Sequence, residues 1–462
     1  MSAAPRPRPS AATLVRAGRP VPASRSGRYV LSQDQWAAFA ERLDTDPLPL
    51  SGLWSDGAEI HALLLESADS PLIASVAIER QRFLALSPVR AAALLPERIV
   101  RDLWGIEAMA ARDLRPWLDH GAWGLTAPLA ARPGPASWPP EPPEFLWDEE
   151  DEAAGAFQLP IGPVQTLTIG PAQFRLTLVG ERIRRLEPLL GAAHRGIALA
   201  LRGLQPDLAI RLVARIDATA SVAHQLAFAR AVEAASGVQP GRATEALRRA
   251  MGALERMAID LHHLARLWSL CGHRAASARA GSLRATLLSA AEAAFGDRLM
   301  MRSLAPGGWS VAPDKAGLAA MAATLDKVEA GLDPLPDDLP GQDRLLSIER
   351  DLVLCRSGSD PVRTVPDFAK AEERPGERPG ERPGGRSGEP VADQEGLGMA
   401  QSAQGQVWHW VRLENGVVSA WHAVDPNLAC VAALAAEAVG LDRDGLALLC
   451  ARFGVSVAGA DQ

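Results

Sequence analysis

Residues 215–224 read Arg215-Ile-Asp-Ala-Thr-Ala-Ser-Val-Ala-His224. This stretch decides the fold, because it lies where strand patterns end and helical patterns begin. Upstream, three strands are predicted over residues 163–168, 173–179 and 182–188, the last two joined by a tight turn at Gly180-Glu181. Downstream, apolar residues recur at three- and four-residue steps over residues 221–235, 244–270, 276–294 and 314–332. The pattern predicts a small antiparallel sheet that leads into a helical bundle.

Composition limits the possible classes. The chain has 462 residues, of which 47% are hydrophobic and 22% charged, with a net charge of -7. An acidic chain without a basic stripe is not expected to bind nucleic acid. No apolar run approaches the roughly 20 residues of a membrane span, so no direct span is expected. The four cysteines, Cys271, Cys355, Cys430 and Cys450, are far apart and form no CxxC pair. We therefore expect reduced thiols in a cytoplasmic protein, without a zinc site or disulfides.

Two Pro-rich breaks divide the chain. Residues 1–28, rich in Ala, Pro, Arg and Ser, are expected to be a disordered tail, and residues 131–157 a Pro-rich and acidic linker. Glu-Arg-Pro-Gly recurs within residues 372–388, so a disordered linker is expected over residues 356–395. The folded pieces are then residues 29–130, 158–345 and 396–462. The predicted fold class is α+β.

The first piece mixes strands over residues 61–65 and 72–77 with helices over residues 33–43 and 96–104. The third piece has alternating segments around Asn415-Gly416, a strong hairpin signal. Two short helices are expected after it, over residues 429–439 and 443–453. An isolated hairpin is at best marginal in water, so this one is expected to pack onto the helical domain.

A family resemblance follows from motifs in sequence order. Glu97-Arg-Ile-Val-Arg-Asp-Leu-Trp-Gly-Ile and Arg115-Pro-Trp-Leu-Asp-His resemble the domain that corresponds to the C-type subunit of complex I and that is fused ahead of related membrane hydrogenases. The alternative for the charged residues of the first motif is a salt-bridged surface turn. Later landmarks include Pro171-Ala-Gln-Phe-Arg, Gly191-Ala-Ala-His-Arg-Gly-Ile, Leu254-Glu-Arg and Phe295-Gly-Asp-Arg. Together these motifs resemble the large subunit of formate-hydrogenlyase-type (group 4) [NiFe] hydrogenases and the D-type subunit of NADH-quinone oxidoreductase.

The resemblance implies a metal site that this chain has lost. In the family, nickel and iron are held by four thiolates from two CxxC pairs. The corresponding positions here are Asp217, Ala220, Asn427 and Cys430, so three of the four thiolates are missing. Cys430 is expected to be a small buried residue on a helix. We predict that the chain itself binds no metal or cofactor.

The complex I relatives use the same region for quinone. Their headgroup contacts correspond to Gln165 and Phe228 here, and a phenylalanine has no hydroxyl to donate. NAD binding, a property of the complex I relatives, has no G-x-G-x-x-G support in the sequence. His224 is expected to pack at the start of a helix. His262 and His263, beside Asp260, are expected on a solvated face.

One motif of the series is intact. His194-Arg195-Gly196 corresponds to a turn that, in the family, faces the iron-sulfur small subunit, where a cationic side chain can raise the potential of the cluster. The alternative is a glycine-ended turn with an exposed arginine. The resemblance implies a partner-docking surface.

The implied function is that of a component in a membrane-associated redox complex that passes electrons toward quinone or proton reduction. Its expected partners are an iron-sulfur small subunit, similar to the B-type subunit of complex I, and antiporter-like membrane subunits. These would hold it at the inner membrane from the cytoplasmic side. The alternative is a non-catalytic scaffold or assembly protein, and independent catalysis is not expected.

Overall fold

A computed structural model of the protein describes residues 9–22, 24, 27–67, 70–135, 143–332, 339–357 and 394–460. The fold mixes helices with small sheets. Two compact units can be distinguished. The first consists of residues 1–202, 420–443 and 457–462, and the second of residues 203–419 and 444–456. The Glu-Arg-Pro-Gly repeat lies outside the described residues.

The elements up to residue 202 are the following, with a 3-10 turn at Ala91–Ala93 before α3: α1 (Ala11–Arg16), β1 (Arg19–Pro20), β2 (Arg28–Leu31), α2 (Gln33–Leu43), β3 (Leu50–Ser55), β4 (Glu59–Ser67), β5 (Ser70–Ala77), β6 (Arg82–Leu84), α3 (Leu94–Trp104), β7 (Glu107–Met109), β8 (Leu125–Thr126), β9 (Gly134–Pro135), α4 (Glu149–Ala153), β10 (Phe157–Ile161), β11 (Gln173–Val179), β12 (Arg182–Leu189) and α5 (Ile197–Leu201).

The remaining elements are α6 (Pro206–Val213), α7 (Ser221–Ser236), α8 (Arg242–Leu270), α9 (Arg274–Phe295), β13 (Leu304–Ala305), β14 (Gly308–Trp309), α10 (Lys315–Leu332), α11 (Gln342–Ser357), β15 (Gln394–Gln401), β16 (Gln406–Glu414), β17 (Val417–Val424), α12 (Pro426–Glu437), α13 (Arg443–Phe453) and α14 (Val457–Ala460). In the described part of the chain, no helix is both long and apolar enough to cross a membrane.

The larger sheet of the first unit has the strand order β1-β2-β5-β4-β3. Helix α2 begins at a capping box formed by Ser32 and Gln35 and buries Trp36, Phe39 and Leu43 in a core shared with this sheet. The predicted strands and helices of residues 33–104 are confirmed with small boundary shifts. Alternating apolar residues therefore predicted this part of the fold well.

The expected disordered tail is wrong for residues 9–22, which form α1 and β1. Ser10 caps α1, and Ala11, Ala12 and Val15 are buried. The Asp46 carboxylate accepts a hydrogen bond from the Ala11 amide at 2.9 Å. Composition suggested disorder, but a single buried turn with a satisfied N-terminus is enough to anchor the segment.

The linker expected over residues 131–157 is wrong for its acidic end. That segment forms α4, with Asp148 and Asp151 in a capping box. Asp151 is buried and pairs with Arg184 at 2.7 Å and with Arg185 at 2.9 Å, both on β12. The arginines of the sheet therefore order an acidic segment that has few apolar residues of its own.

The motif segment at Glu97 is buried rather than a surface turn. Arg98 donates to the carbonyl oxygens of Arg115 and Pro116, each at 2.6 Å. Asp102 accepts from the amides of Trp117 and Leu118 at 2.7 and 2.8 Å. The charged side chains of the first motif thus form hydrogen bonds with backbone groups of the second motif. These hydrogen bonds account for charged residues at buried positions.

The predicted strand over residues 163–168 is wrong, since β10 ends at Ile161. Gly162 follows with a φ of 97°, and a Cβ there would lie 2.2 Å from the Ala172 carbonyl oxygen. The next residues form a turn in which Gln165 binds nearby backbone amides. Sheet order β10-β11-β12 results, with β11 and β12 as predicted.

The second unit is built on α7, α8 and α9, close to the predicted bounds. Strand β15, which overlaps the expected linker, packs against α7 through Gly396 and Gly398. A Cβ on Gly398 would lie 2.1 Å from the Ala227 carbonyl oxygen. Sequence patterns missed β15 because its glycines resemble a linker, although here they allow close backbone contact.

The expected hairpin is present. Asn415 and Gly416 have φ values of 52° and 80°, as a two-residue hairpin turn requires. Strand β16 pairs antiparallel with β15, and both contact α7, which confirms that the segment packs onto the helical domain. Helices α5, α6 and α11 were not predicted.

The expected solvated face at the end of α8 is wrong. His263 is fully buried, and its Nε2 lies 3.0 Å from the Gln404 side-chain nitrogen. Asp260 is also buried and pairs with Arg344 at 2.6 Å. These polar side chains form hydrogen bonds and an ion pair with one another inside the unit. Their polarity therefore did not mean that they are exposed to solvent.

Candidate functional site at the start of helix α7

The loop before α7 carries the first pair of expected metal-ligand positions. Asp217 is 1% exposed, and its Oδ1 accepts hydrogen bonds from the Thr219 amide at 2.7 Å and the Thr219 hydroxyl at 2.8 Å. Ala220 is buried and donates its amide to the Asp217 carbonyl oxygen at 3.2 Å. At the two positions where the resemblance implies thiolates, this chain thus has the Asp217 carboxylate, which closes a turn, and the Ala220 methyl group.

Glu255 of α8 closes this site from the other side. Its two carboxyl oxygens accept the amides of Val222 at 2.6 Å and Ala223 at 3.0 Å. These amides belong to the first turn of α7, where backbone donors have no partner within the helix. From the sequence, Glu255 stood out only as part of the Leu254-Glu-Arg motif. That it caps α7 was not predicted.

The Glu255 carboxyl group is held in a strongly buried place. Its pKa is raised to about 8, chiefly by burial; the nearby Asp217 charge also raises the pKa, while the two amide hydrogen bonds and the Arg256 charge lower it. The group is therefore mainly protonated at neutral pH. An acid that keeps its proton at neutral pH can donate or accept one with little change in conditions.

Two buried histidines, His224 of α7 and His409 of β16, meet close to the first turn of α7. His224 Nδ1 is 3.0 Å from His409 Nε2, so one nitrogen donates and the other accepts. Both side chains are fully buried. The expectation that His224 packs at the start of a helix is confirmed. His409 was missed, because on β16 it lies between two tryptophans in a run that resembles an ordinary buried strand.

Phe228 occupies the expected quinone position and contacts this pair. Its ring is fully buried and lies edge-on to His409, with ring centroids 6.1 Å apart and an interplanar angle of 81°. Phe228 of α7 is thus in contact with an imidazole. A histidine can carry a proton, which phenylalanine cannot.

Gln165, the other expected quinone position, lies in the first unit and closes its own loop. Its Nε2 donates to the Thr168 hydroxyl at 2.7 Å and the Gly170 carbonyl at 3.2 Å. Its Oε1 accepts the amides of Leu167 and Thr168. Both ends of the amide are therefore engaged within the loop.

The second pair of expected ligand positions lies on α12 of the first unit. Asp425 caps this helix, since its Oδ1 accepts from the Asn427 amide at 2.7 Å and the Asn427 side chain at 2.9 Å. Asn427 is 1% exposed. Cys430 is half-buried rather than buried as expected. This segment, like the loop before α7, is closed by its own carboxylate.

The expected [NiFe] ligand set does not fit these positions chemically. The side chains are a carboxylate, a methyl group, a carboxamide and one thiol, whereas the family site needs four soft thiolates. Elsewhere in the described residues, one group, Asp56, Glu59 and His61, brings possible ligand atoms within 4.8 Å of one another. Its members already interact with each other, with Arg28 and with Ser75.

The turn His194-Arg195-Gly196 is braced on two sides within the first unit. The His194 ring stacks on Trp123, with centroids 4.7 Å apart. Arg195 donates to the Ala458 carbonyl oxygen at 3.3 Å, and its side chain remains exposed. Gly196 has a φ of 62° and begins α5, a conformation that glycine adopts readily. A fixed turn thus presents a cation to the surface.

No family model matches the chain. It is 28% identical over 177 residues to the carbon monoxide-induced hydrogenase of Rhodospirillum rubrum, covering 38% of this chain and 49% of that protein. It is 31% identical over 121 residues to the fused C/D-type subunit of NADH-quinone oxidoreductase from Phocaeicola vulgatus, covering 26% of this chain and 22% of that protein. The D-type subunit of the same enzyme from Dehalococcoides mccartyi strain 195 is 36% identical over 106 residues, or 23% and 29% of the two chains. The chain thus spans half or less of the length of these relatives.

Two solved structures share the fold. A chain of the membrane-bound sulfane sulfur reductase, an archaeal respiratory membrane complex, aligns with 66% of this chain and 98% of its own length, at a TM-score of 0.54 and 15% identity. A chain of the Ni-Fe-Se hydrogenase of D. vulgaris Hildenborough aligns with 67% and 100%, at a TM-score of 0.50 and 13% identity. The fold agreement and the sequence matches point the same way. Parts of the chain are similar in sequence to a hydrogenase and to the C/D-type and D-type subunits of NADH-quinone oxidoreductases, and the chain shares its fold with the two solved chains.

Proposed function

We propose that the chain is a peripheral component of a membrane-associated redox complex that docks an iron-sulfur partner without holding a [NiFe] centre of its own. The observation that carries this proposal is the contrast between the expected metal-ligand positions and the His194-Arg195-Gly196 turn. The metal-ligand positions are closed by their own carboxylates, at Asp217 and Asp425. The His194-Arg195-Gly196 turn instead presents an exposed cation on a braced backbone.

The proposed role of Arg195 is electrostatic. A guanidinium near an iron-sulfur cluster favours the reduced, more negative state and so raises the cluster potential. The turn is braced by the Trp123 ring and the Ala458 carbonyl. In this proposal the iron-sulfur small subunit binds here. Antiporter-like membrane subunits hold the complex at the cytoplasmic side of the inner membrane.

Quinone reduction at this chain is the less favoured part of the proposal. Gln165 is engaged within its own loop, and Phe228 offers no hydrogen bond. Among the described residues, the buried pair of His224 and His409 supplies the proton-carrying groups beside Phe228. NAD binding has no support among these residues. The alternative function is a scaffold or assembly protein, which the same missing metal ligands would also suit.

The test is co-expression with a candidate iron-sulfur small subunit. We expect Arg195→Glu to abolish co-purification, while Arg132→Glu, another exposed arginine of the same unit, leaves it intact. Retention of the partner by the Arg195→Glu protein would overturn the docking surface. In the intact complex, Arg195→Gln should lower the cluster potential, measured by redox-poised EPR, whereas a scaffold would show no such shift.

Metal content tests the other half of the proposal. We expect anaerobically purified protein to contain no stoichiometric nickel or iron, because three of the four ligand positions offer no thiolate. Elemental analysis that finds about one nickel per chain would contradict it.

A further inference from the structure

Three possible metal ligands meet at the turn between β3 and β4 of the first unit. Asp56, Glu59 and His61 each offer one ligand atom, and these atoms lie within 4.8 Å of one another. His61 is fully buried, whereas Gly57 and Ala58 at the tip of the turn are exposed. The cluster therefore combines an interior imidazole with a short path to solvent. It is remote in sequence from the positions that the resemblance implies for nickel and iron.

The separation of Asp56 and His61 suits one ion between them. The Asp56 Oδ2 atom lies 3.3 Å from the His61 Nε2 atom. A tetrahedral zinc ion with nitrogen and oxygen ligands at about 2.0 to 2.2 Å holds two ligand atoms about 3.3 to 3.6 Å apart. These two side chains can thus bind zinc with little movement. The Glu59 side chain, which is partly exposed, must move closer to complete the set.

Neighbouring groups hold both ligands in this orientation. Asp56 uses its other oxygen, Oδ1, to accept two backbone amides of the turn, at 2.9 and 2.8 Å. His61 Nδ1 lies 2.8 Å from the Ser75 hydroxyl, which also accepts a hydrogen bond from Arg28 at 3.3 Å. When Nδ1 donates to this hydroxyl, Nε2 keeps the lone pair that a metal needs. Hydrogen bonds of this kind orient metal-binding histidines and increase their affinity for the metal.

Arg28 is compatible with a metal at this turn. It forms an ion pair with the Glu59 Oε2 atom. A carboxylate has two oxygens, so Glu59 can retain this ion pair and bind a metal through Oε1. Because the Arg28 side chain is buried, it offsets one of the two carboxylate charges whether or not a metal is bound.

We propose that Asp56, Glu59 and His61 bind a zinc ion, with water at the fourth position. The imidazole nitrogen favours zinc over magnesium and calcium, which prefer oxygen ligands. The sequence prediction that the chain binds no metal would then apply only to the nickel and iron positions. This site is separate from the docking turn, and zinc is distinct from nickel and iron. Failure of this proposal therefore leaves the proposed function unaffected.

The test titrates the full-length protein, first treated with a chelator, with Zn²⁺ and with Mg²⁺ by calorimetry at neutral pH. We expect about one Zn²⁺ per chain and no binding of Mg²⁺. Zn²⁺ should also raise the melting temperature, because an ion that binds only the folded state stabilises it. Asp56→Asn and Glu59→Gln should each weaken Zn²⁺ binding at least about tenfold, since even the loss of a supporting hydrogen bond has an effect of that size.

Control variants assign the binding to this turn. Glu79→Gln, at an exposed acid outside the cluster, should leave the Zn²⁺ affinity unchanged. Cys271→Ser removes an exposed thiol that could bind zinc adventitiously, and it should also leave the affinity unchanged. Because Glu59 is partly exposed, its variant keeps the test decisive if Asp56→Asn folds poorly.

Three results would overturn the proposal. The first is wild-type Zn²⁺ affinity in the Glu59→Gln protein or in a folded Asp56→Asn protein. The second is loss of binding in Cys271→Ser, and the third is no binding of Zn²⁺ at submillimolar concentration. In each case Asp56 and His61 would form an ion pair and no metal site.

Discussion

Glu255→Gln should change how stability depends on pH. The pKa of Glu255 is raised to about 8 in the folded protein by burial, whereas an unfolded glutamate ionises near its ordinary value. Between these two values the folded chain keeps a proton that the unfolded chain has lost. Stability must therefore fall as pH rises through this window, and below it the group contributes no pH dependence.

The size of the effect follows from linkage. One proton of difference changes the free energy of unfolding by about 1.4 kcal/mol per pH unit. From pH 5.5 to 7.5 the wild type should therefore lose about 2 to 3 kcal/mol through Glu255 alone. Glutamine cannot ionise, so this slope disappears. Its amide NH₂ group faces a backbone donor at Val222 or Ala223, which adds a pH-independent cost of about 1 to 3 kcal/mol.

Urea denaturation of both proteins at pH 5.5 and 7.5 measures this difference, since other titrating groups cancel between them. We expect the variant to gain about 2 to 3 kcal/mol of stability relative to the wild type between pH 5.5 and pH 7.5. Parallel pH profiles would show that Glu255 is ionised in the folded protein. The hydrogen bonds from the α7 amides would then outweigh the effect of burial on the pKa of Glu255.

Two further pairs of variants test the packing that supports the site. Arg248 is fully buried and pairs with Glu233 at 2.8 Å, so Arg248→Met should cost about 3 to 5 kcal/mol by leaving a buried charge, while exposed Arg249→Met should be nearly neutral by the same denaturation assay. Gly398→Val should lower the melting temperature sharply, because its Cβ would meet the α7 backbone at 2.1 Å, whereas Gly281→Ala on α9 meets nothing within 4 Å and should add up to about 1 kcal/mol. Equal effects within either pair would contradict the packing described.

Segments with regular apolar spacing were predicted well because that spacing reports the burial of one face. Helix α2 and helix α13 have the predicted bounds, and α7 to α10 differ by a few residues. The Asn415-Gly416 turn was equally clear, since few residue pairs adopt two positive φ angles in succession. The sequence also carries the proposal that three of the four thiolate positions are lost, because that proposal depends only on residue identity at the positions that the resemblance implies.

Only the tertiary structure determined which buried polar groups are hydrogen-bonded to each other. The sequence alone could not indicate that Glu255 caps α7, that His409 meets His224, or that Gln165 closes its own loop, because each partner is chosen by how distant elements pack. For the same reason α1 was taken for part of a disordered tail and α4 for part of a linker, and β15 was not predicted. Each has weak local signals and is ordered by contacts from elsewhere, through Asp46, through Arg184 and Arg185, and through the backbone of α7. Local patterns report the burial of a surface, whereas the partner of a buried charge is fixed only when the chain has folded around it.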